Sequence, residues 1–180
     1  MSVGVIRERV ELGDRSYDVH VGDGVIEHAG EILAEALPMA RRAAIVTQAE
    51  IPVVIDPGVD CEVFTIGQGE AAKSLATIGE LCSAFAEWGL TRGDYVVGLG
   101  GGLVTDVAGF AAATYHRGIP VVQVPTTLLG QVDAAIGGKT GVNLPQGKNL
   151  VGAFWQPSAV LCDTATLASL PAREWRSGLG

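Results

Sequence analysis

Apolar positions along this chain change their period several times, and each change marks an element. Residues 7–12 and 17–21 are short runs with β-branched members joined through Gly13 and Asp14, and they predict an N-terminal hairpin. Over residues 25–37 the period becomes helical: Ile26, Ala29, Ile32, Leu33, Ala36 and Leu37 share a face, with Glu27, Glu31 and Glu35 opposite. Residues 43–47 form a buried strand. The next segment, 48–60, holds Pro52 and Pro57; two prolines leave little room for a helix, so an abbreviated, irregular crossover is expected. A strand over 62–66, a glycine turn over 67–70 and a helix over 72–88 follow, with Leu75, Ile78, Leu81, Cys82, Phe85, Ala86 and Trp88 supplying the apolar stripe and Gly89 the stop.

Residues 95–99 make a further strand, the triplet Gly100, Gly101 and Gly102 turns into a helix through Ala113, and 119–124 is a strand closed by Pro125. Residues 127–135 have a helical pattern, 137–149 look loop-rich, and 159–162 form the last strand. Strands alternating with helices imply an α/β fold, a Rossmann-like, mostly parallel sheet flanked by helices with the N-terminal hairpin attached. The final residues, 176–180, fall within the start of another helix, which reads as the N-terminal part of a longer chain.

Composition narrows the class. With 180 residues, 48% hydrophobic and 18% charged, the chain has enough apolar content for one core. No charge-free apolar run of membrane-spanning length occurs, and the N-terminus lacks a basic-then-apolar signal pattern, so a cytoplasmic protein without a membrane partner is expected. Cys61, Cys82 and Cys162 fit neither a disulfide framework nor a zinc knuckle and read as reduced core residues. The formal charge of −8 is uneven: residues 1–94 carry 7 Lys/Arg against 16 Asp/Glu, whereas 95–162 carry Arg117, Lys139 and Lys148 against Asp106 and Asp133. An acidic body disfavours nucleic acid, and a locally cationic, glycine-rich segment favours a small anion.

The candidate chemistry lies in that segment. Glycines between a strand and a helix let a backbone approach a pyrophosphate, whose charge meets exposed N–H groups and the helix dipole; a tight turn alone is the plainer reading. Asp106 is the one charge in its apolar helix and lies too far from the glycines to be a cap. Gly138-Lys139-Thr140 is not a P-loop, because the first glycine of that motif would fall on Asp133. Lys139 and Lys148 are either solvated loop lysines or, with Asp133 and Asn149, a polyol-phosphate site. Glu70 and Lys73, three apart at a helix start, read as an end-of-helix ion pair or as a carboxylate for ribose hydroxyls. His20 and His28 are expected on the surface and His116 at a helix end; no His, Cys and carboxylate set has metal-ligand spacing.

Five stretches together resemble the 3-dehydroquinate synthase family: GQGEAAKS (67–74), GLGGGLVTDVAGFAAATYHRG (98–118), VPTTLLGQVDAAIGGKTGVN (124–143), GKNLVGAFWQP (147–157) and LASLPAREWRSGLG (167–180). The resemblance implies an N-terminal NAD-binding domain, with a helical C-terminal domain absent from this chain. It places Gly69, Glu70 and Lys73 at the adenosine end of NAD, and Gly100, Gly101, Gly102, Leu103, Val104 and Thr105 at the pyrophosphate. It puts Asp106 at the nicotinamide, with Thr126, Thr127, Lys139, Lys148, Thr166, Leu167, Ala168 and Ser169 completing the surroundings. Arg117, Asp133, Lys139 and Asn149 match positions that bind the sugar-phosphate substrate, the arginine across a homodimer interface of the full-length protein. The implied activity is NAD-dependent conversion of 3-deoxy-arabino-heptulosonate 7-phosphate to 3-dehydroquinate and phosphate in the shikimate pathway. A divalent metal, zinc or cobalt, is implied with ligands beyond Gly180, so these residues alone are expected to be inactive. Gln48 stands where the family commonly has an aspartate near the adenosine. Two other readings are open: a different NAD-dependent sugar-phosphate cyclase, such as one of the 2-deoxy-scyllo-inosose synthase type, and a non-catalytic NAD-binding module.

Overall fold

The computed structural model describes residues 4–179. In chain order they form β1 (Ile6–Val10), β2 (Tyr17–Gly22), α1 (Ala29–Ala36), β3 (Arg42–Gln48), β4 (Asp60–Ile66) and α2 (Leu75–Trp88). There follow β5 (Tyr95–Gly100), α3 (Gly102–Thr114), β6 (Val121–Pro125), β7 (Lys139–Leu144), β8 (Gly147–Phe154), β9 (Ala159–Asp163) and α4 (Ala172–Leu179). Seven strands make one sheet in the order β1-β2-β9-β6-β5-β3-β4. All its pairings are parallel except β1 with β2, the N-terminal hairpin. The α/β sheet expected from the alternating pattern is therefore present.

Period-two burial on both faces explains the layers. Ala44, Val46, Val96 and Val121 point to the face covered by α2 and α3, where they meet Ile78, Phe85, Val104 and Ala108. Ala43, Ile45, Val97, Leu99 and Val122 point the other way, onto Val25, Ala29 and Leu33. Each of the buried Val, Leu, Ile and Phe side chains contributes about 1.5–3 kcal/mol of apolar burial, and the alanines less. Phe85 anchors the first face, its ring edge-on to Phe64 at 5.1 Å and to Tyr115 at 5.6 Å. Helix α2 starts at Ser74, whose hydroxyl accepts from the Thr77 N–H at 3.2 Å, and stops at Gly89, which takes φ 81°.

Several expectations are corrected. The residues 137–149 are not loop: β7 and β8 form a separate antiparallel hairpin. Its strand character is hidden because the paired positions Gly141 and Gly152 carry no side chain, and a Cβ at Gly152 would lie 2.0 Å from the Thr140 carbonyl oxygen. The helical pattern over 25–37 divides into a 3₁₀ turn, Val25–His28, and α1. The helical pattern after Thr127 becomes a π-turn over Gly130–Ala134. The irregular crossover between β3 and β4 is present, with no helix over 49–59. Cys61 is exposed on the edge strand β4, so it is not a core residue. His20 is buried rather than on the surface, on the face of β2 shared with Ile32 and Ala36 of α1. No helix among the described residues is long and apolar enough to cross a membrane.

Glycines set how closely α3 packs. A Cβ at Gly98 would stand 2.9 Å from the Ala108 Cβ, and one at Gly109 would stand 2.4 Å from Thr140 Cγ2. Helix α3 is thereby pressed between the sheet and the hairpin. It leaves β5 near the middle of the sheet, at the carboxyl edge where open α/β folds keep their crevices.

Candidate functional site

The site is assembled around the N-terminus of α3. A Cβ on Gly100 would meet Val104 Cγ2 at 2.6 Å, one on Gly101 would meet Thr127 Cγ2 at 3.1 Å, and one on Gly102 the Ala134 Cβ at 3.2 Å. A side chain is thus excluded at Gly100 and only tightly accommodated at Gly101 and Gly102, so the turn presents backbone rather than side chains. No side chain caps α3, so the N–H groups of its first turn and its dipole are available to an anion. Thr126 follows β6 and donates its N–H to the Gly100 carbonyl at 3.0 Å, and the Thr127 hydroxyl accepts from the Gly130 N–H at 3.1 Å. The buried Gln123 donates from Nε2 to the Thr105 carbonyl at 3.0 Å, fixing the first turn of α3 onto β6. These features fit a dinucleotide pyrophosphate.

Not every residue of this stretch faces outward. The side chains of Val104 and Thr105 are 0% and 1% exposed and belong to the core. Their backbones, with that of Leu103, are what the turn offers. Leu167 is likewise buried, within a 3₁₀ turn over Thr164–Ser169, while Ala168 and Ser169 are exposed and Thr166 is half-buried. Gln131 Nε2 bridges the carbonyls of Pro125 at 3.1 Å and Asp163 at 2.9 Å, which holds that turn beside the end of β6.

Asp106, on the second turn of α3, pairs with the Lys73 ammonium, and Lys73 also donates to Asn149 Oδ1. The Lys73 side chain is 9% exposed and that of Asp106 19%. Burial pushes the Asp106 carboxyl above the usual carboxylate range, and the hydrogen bond from Lys73 opposes the shift. The expected i, i+3 pair of Glu70 and Lys73 is not formed. Glu70 instead accepts from Asn143 Nδ2 at 2.6 Å and lies 3.5 Å from Lys148 Nζ, and its carboxyl is held below the usual range, chiefly by the Asn143 bond. The reason is competition: the Lys73 ammonium is buried against Asp106 and Asn149, while Glu70 is taken by Asn143 and Lys148.

A cleft of about 440 Å³ opens beside this network, lined by Asp106, Asp133, Lys139, Thr140, Asn149 and Phe154. Lys139 Nζ sits 2.9 Å from Asp133 Oδ1, both side chains more than half exposed, and the carboxylate raises the pKa of the lysine. The structure brings Asp133, Lys139 and Asn149 together. Arg117 is not among them. It is exposed in the turn that follows α3, whose last residue, Thr114, lies about 12 Å along the axis from Asp106 at 1.5 Å per residue. Asn143, to which no role was given from the sequence, turns out to sit inside the network; its signal is a lone amide between apolar strand residues.

A parallel α/β sheet with an uncapped, glycine-lined helix start beside a cleft of mixed charge is a nucleotide-binding architecture of Rossmann type. A family model described as 3-dehydroquinate synthase N-terminal matches residues 63–177, and the chain belongs to that family. A protein of Amycolatopsis mediterranei described as an aminodehydroquinate synthase is 55% identical over 95% of this chain and 48% of its own. The 3-dehydroquinate synthase of Symbiobacterium thermophilum is 50% identical over 94% of this chain and 50% of its own. Among solved structures, 2-deoxy-scyllo-inosose synthase complexed with carbaglucose-6-phosphate, NAD+ and Co2+ superposes with a TM-score of 0.89 at 28% identity, covering 97% of this chain and 50% of that one. The chain therefore spans about half the length of the curated relatives it matches. Among the described residues no three of His, Cys, Asp and Glu are grouped to hold a metal ion, so they do not fit the divalent metal that the resemblance implies.

Proposed function

We propose that this chain is the NAD-binding half of a 3-dehydroquinate synthase, acting on 3-deoxy-arabino-heptulosonate 7-phosphate. One observation carries the reading: Asp106, Asn149, Asp133 and Lys139 line one cleft beside the N-terminal turns of α3, with Lys73 paired to Asp106 and Asn149 behind it. Bound NAD supplies a hydride acceptor for a ring carbinol, which acidifies the neighbouring C–H and permits loss of phosphate. The first-turn N–H groups of α3 hold the pyrophosphate, and the glycines keep that approach clear. Asp106, fixed by Lys73, sets the polar end of the cleft. Lys139, steered by Asp133, offers a cation to the sugar phosphate. Asn149 has its Oδ1 engaged by Lys73, so its Nδ2 is the atom turned to substrate hydroxyls. Arg117 serves a neighbouring protomer of a homodimer, consistent with its distance from the cleft of its own chain.

The 55% identity to the aminodehydroquinate synthase favours one second reading, an amino-substituted heptulosonate phosphate as substrate. Phosphate release separates the two. The product of the whole open reading frame carrying these residues is assayed with NAD and zinc on the heptulosonate phosphate and on its amino analogue. Higher kcat/KM on the first supports the proposal, and higher kcat/KM on the second supports the alternative. Release from neither, with NAD bound, overturns both. The 180 residues alone are expected to bind NAD and release no phosphate.

A further inference from the structure

Residues 69–73 and the β7–β8 hairpin meet at Asn143, beside the Lys73–Asn149 and Glu70–Lys148 contacts. The Asn143 N–H donates to the Lys73 carbonyl at 2.9 Å, and its Nδ2 donates to Glu70 Oε2 at 2.6 Å. Its Oδ1 accepts from the Asn149 N–H at 2.9 Å. The pairing of β7 with β8 is irregular between Val142 and Leu144, and such a bulge re-aims the side chain it carries. Asn149 has φ 55°, a left-handed conformation that is costly outside glycine and is tolerated best by asparagine. The Asn143 bond holds it there, and from that position Asn149 Oδ1 reaches the Lys73 ammonium. Hydrogen bonds and backbone thus close a ring from Asn143 to Asn149, through Lys73, and back to Asn143.

We infer that Asn143 is a positioning residue that locks the cofactor-side segment, residues 69–73, to Asn149 on the substrate side, so that nucleotide binding at one orders the other. The inference rests on the proposed reading of Glu70 and Lys73 as cofactor contacts. Asn143 itself lines neither the glycine turn nor the cleft, and it acts through Glu70 and Asn149. The groups that face it or its partners are Glu70, Lys148, Lys73 and, behind Lys73, Asp106. A carboxylate at 143 would still accept from Asn149 but would confront Glu70, and two carboxylates in contact do not both ionise.

The test is NAD affinity of wild type and Asn143→Asp by calorimetric titration from pH 5 to 8. The variant is expected to bind about 10-fold more weakly at pH 8, the loss of a charge-assisted bond, and to regain most of that on acidification as the pair takes up a proton. Wild type serves as the reference at each pH. A variant equal to wild type at pH 8, or a deficit that does not change with pH, overturns the inference. Should Asn143→Asp fail to fold, wild-type hydrogen exchange decides: NAD must slow exchange of the Asn149 amide, and an unchanged rate overturns the link. Wild type that binds no NAD removes the cofactor reading alone. Asn143→Ala must then speed exchange at Asn149 at least about 10-fold while the β7–β8 ladder around Gly152 stays protected, and without that the positioning role fails too.

Discussion

Replacing Lys73 by methionine keeps the aliphatic stem and deletes the charge that Asp106 depends on. The lysine side chain is 9% exposed and the aspartate 19%, so little water can replace the lost partner. Breaking a buried pair from one side typically costs about 3–5 kcal/mol. Asp106 has an escape, because burial already raises its pKa and it can take a proton; that limits the expected loss at pH 7 to about 2–3 kcal/mol. Removing both charges, as Lys73→Met with Asp106→Leu, leaves no orphan and is expected to cost less than Lys73→Met alone, with a coupling of about 1–2 kcal/mol.

Urea unfolding followed by tryptophan fluorescence measures both, provided the slope is unchanged between variants. The dependence on pH has a definite sign. In Lys73→Met burial of Asp106 is opposed only by the more distant charge of Lys139, so its folded pKa lies above its unfolded value and the folded state binds more protons in between. Stability of the variant is then greatest below the unfolded pKa and falls as pH rises through the folded one. Its deficit must therefore be larger at pH 8 than at pH 5. A loss under about 0.5 kcal/mol that is equal at both pH values would mean that Lys73 is not what holds Asp106.

Three further outcomes follow from the geometry. Gly152→Ala puts a Cβ 2.0 Å from the Thr140 oxygen; the hairpin must distort, and stability should drop by about 1–3 kcal/mol, visible as a lower Tm, whereas an unshifted melt contradicts the close strand approach. Gly101→Val crowds Thr127, 3.1 Å from the Cβ position, and should weaken NAD at least about 10-fold in a calorimetric titration and lower the Tm modestly, whereas unchanged NAD affinity contradicts the role of the turn. Asp94 accepts from the N–H groups of Thr91, Arg41 and Arg42 and from the Thr91 hydroxyl; burial raises its pKa, these bonds outweigh it, and the carboxyl ends below the usual range. Its stabilisation is present above the unfolded carboxylate pKa and is lost as pH falls through the lower folded one, so the deficit of Asp94→Ala, about 2 kcal/mol at pH 7, should shrink in acid.

What the chain announces and what it conceals differ for a physical reason. The strands β3, β5, β6 and β9 are apolar on both faces, and the stripe of α2 runs four turns between a serine cap and a glycine stop, so local pattern suffices for them. The hairpin of β7 and β8 is different. Its strands pair closely because Gly141 and Gly152 let the two backbones approach, and absence of side chains leaves no period to read. Lone charges in an apolar run pointed to a candidate site, and the structure gathers Asp106, Asp133 and Lys139 along one cleft. The pattern could not give the partners. Lys73 and Asp106 lie 33 residues apart in sequence, and Lys73 and Asn149 lie 76 apart. Such contacts come from the register of β7 on residues 69–73, which no local rule contains. Asn143 is the residue that sets this register, since one amide there serves Glu70 and Asn149 at once. An uncharged side chain thus joins Glu70 to Asn149, the partner of the Lys73 ammonium.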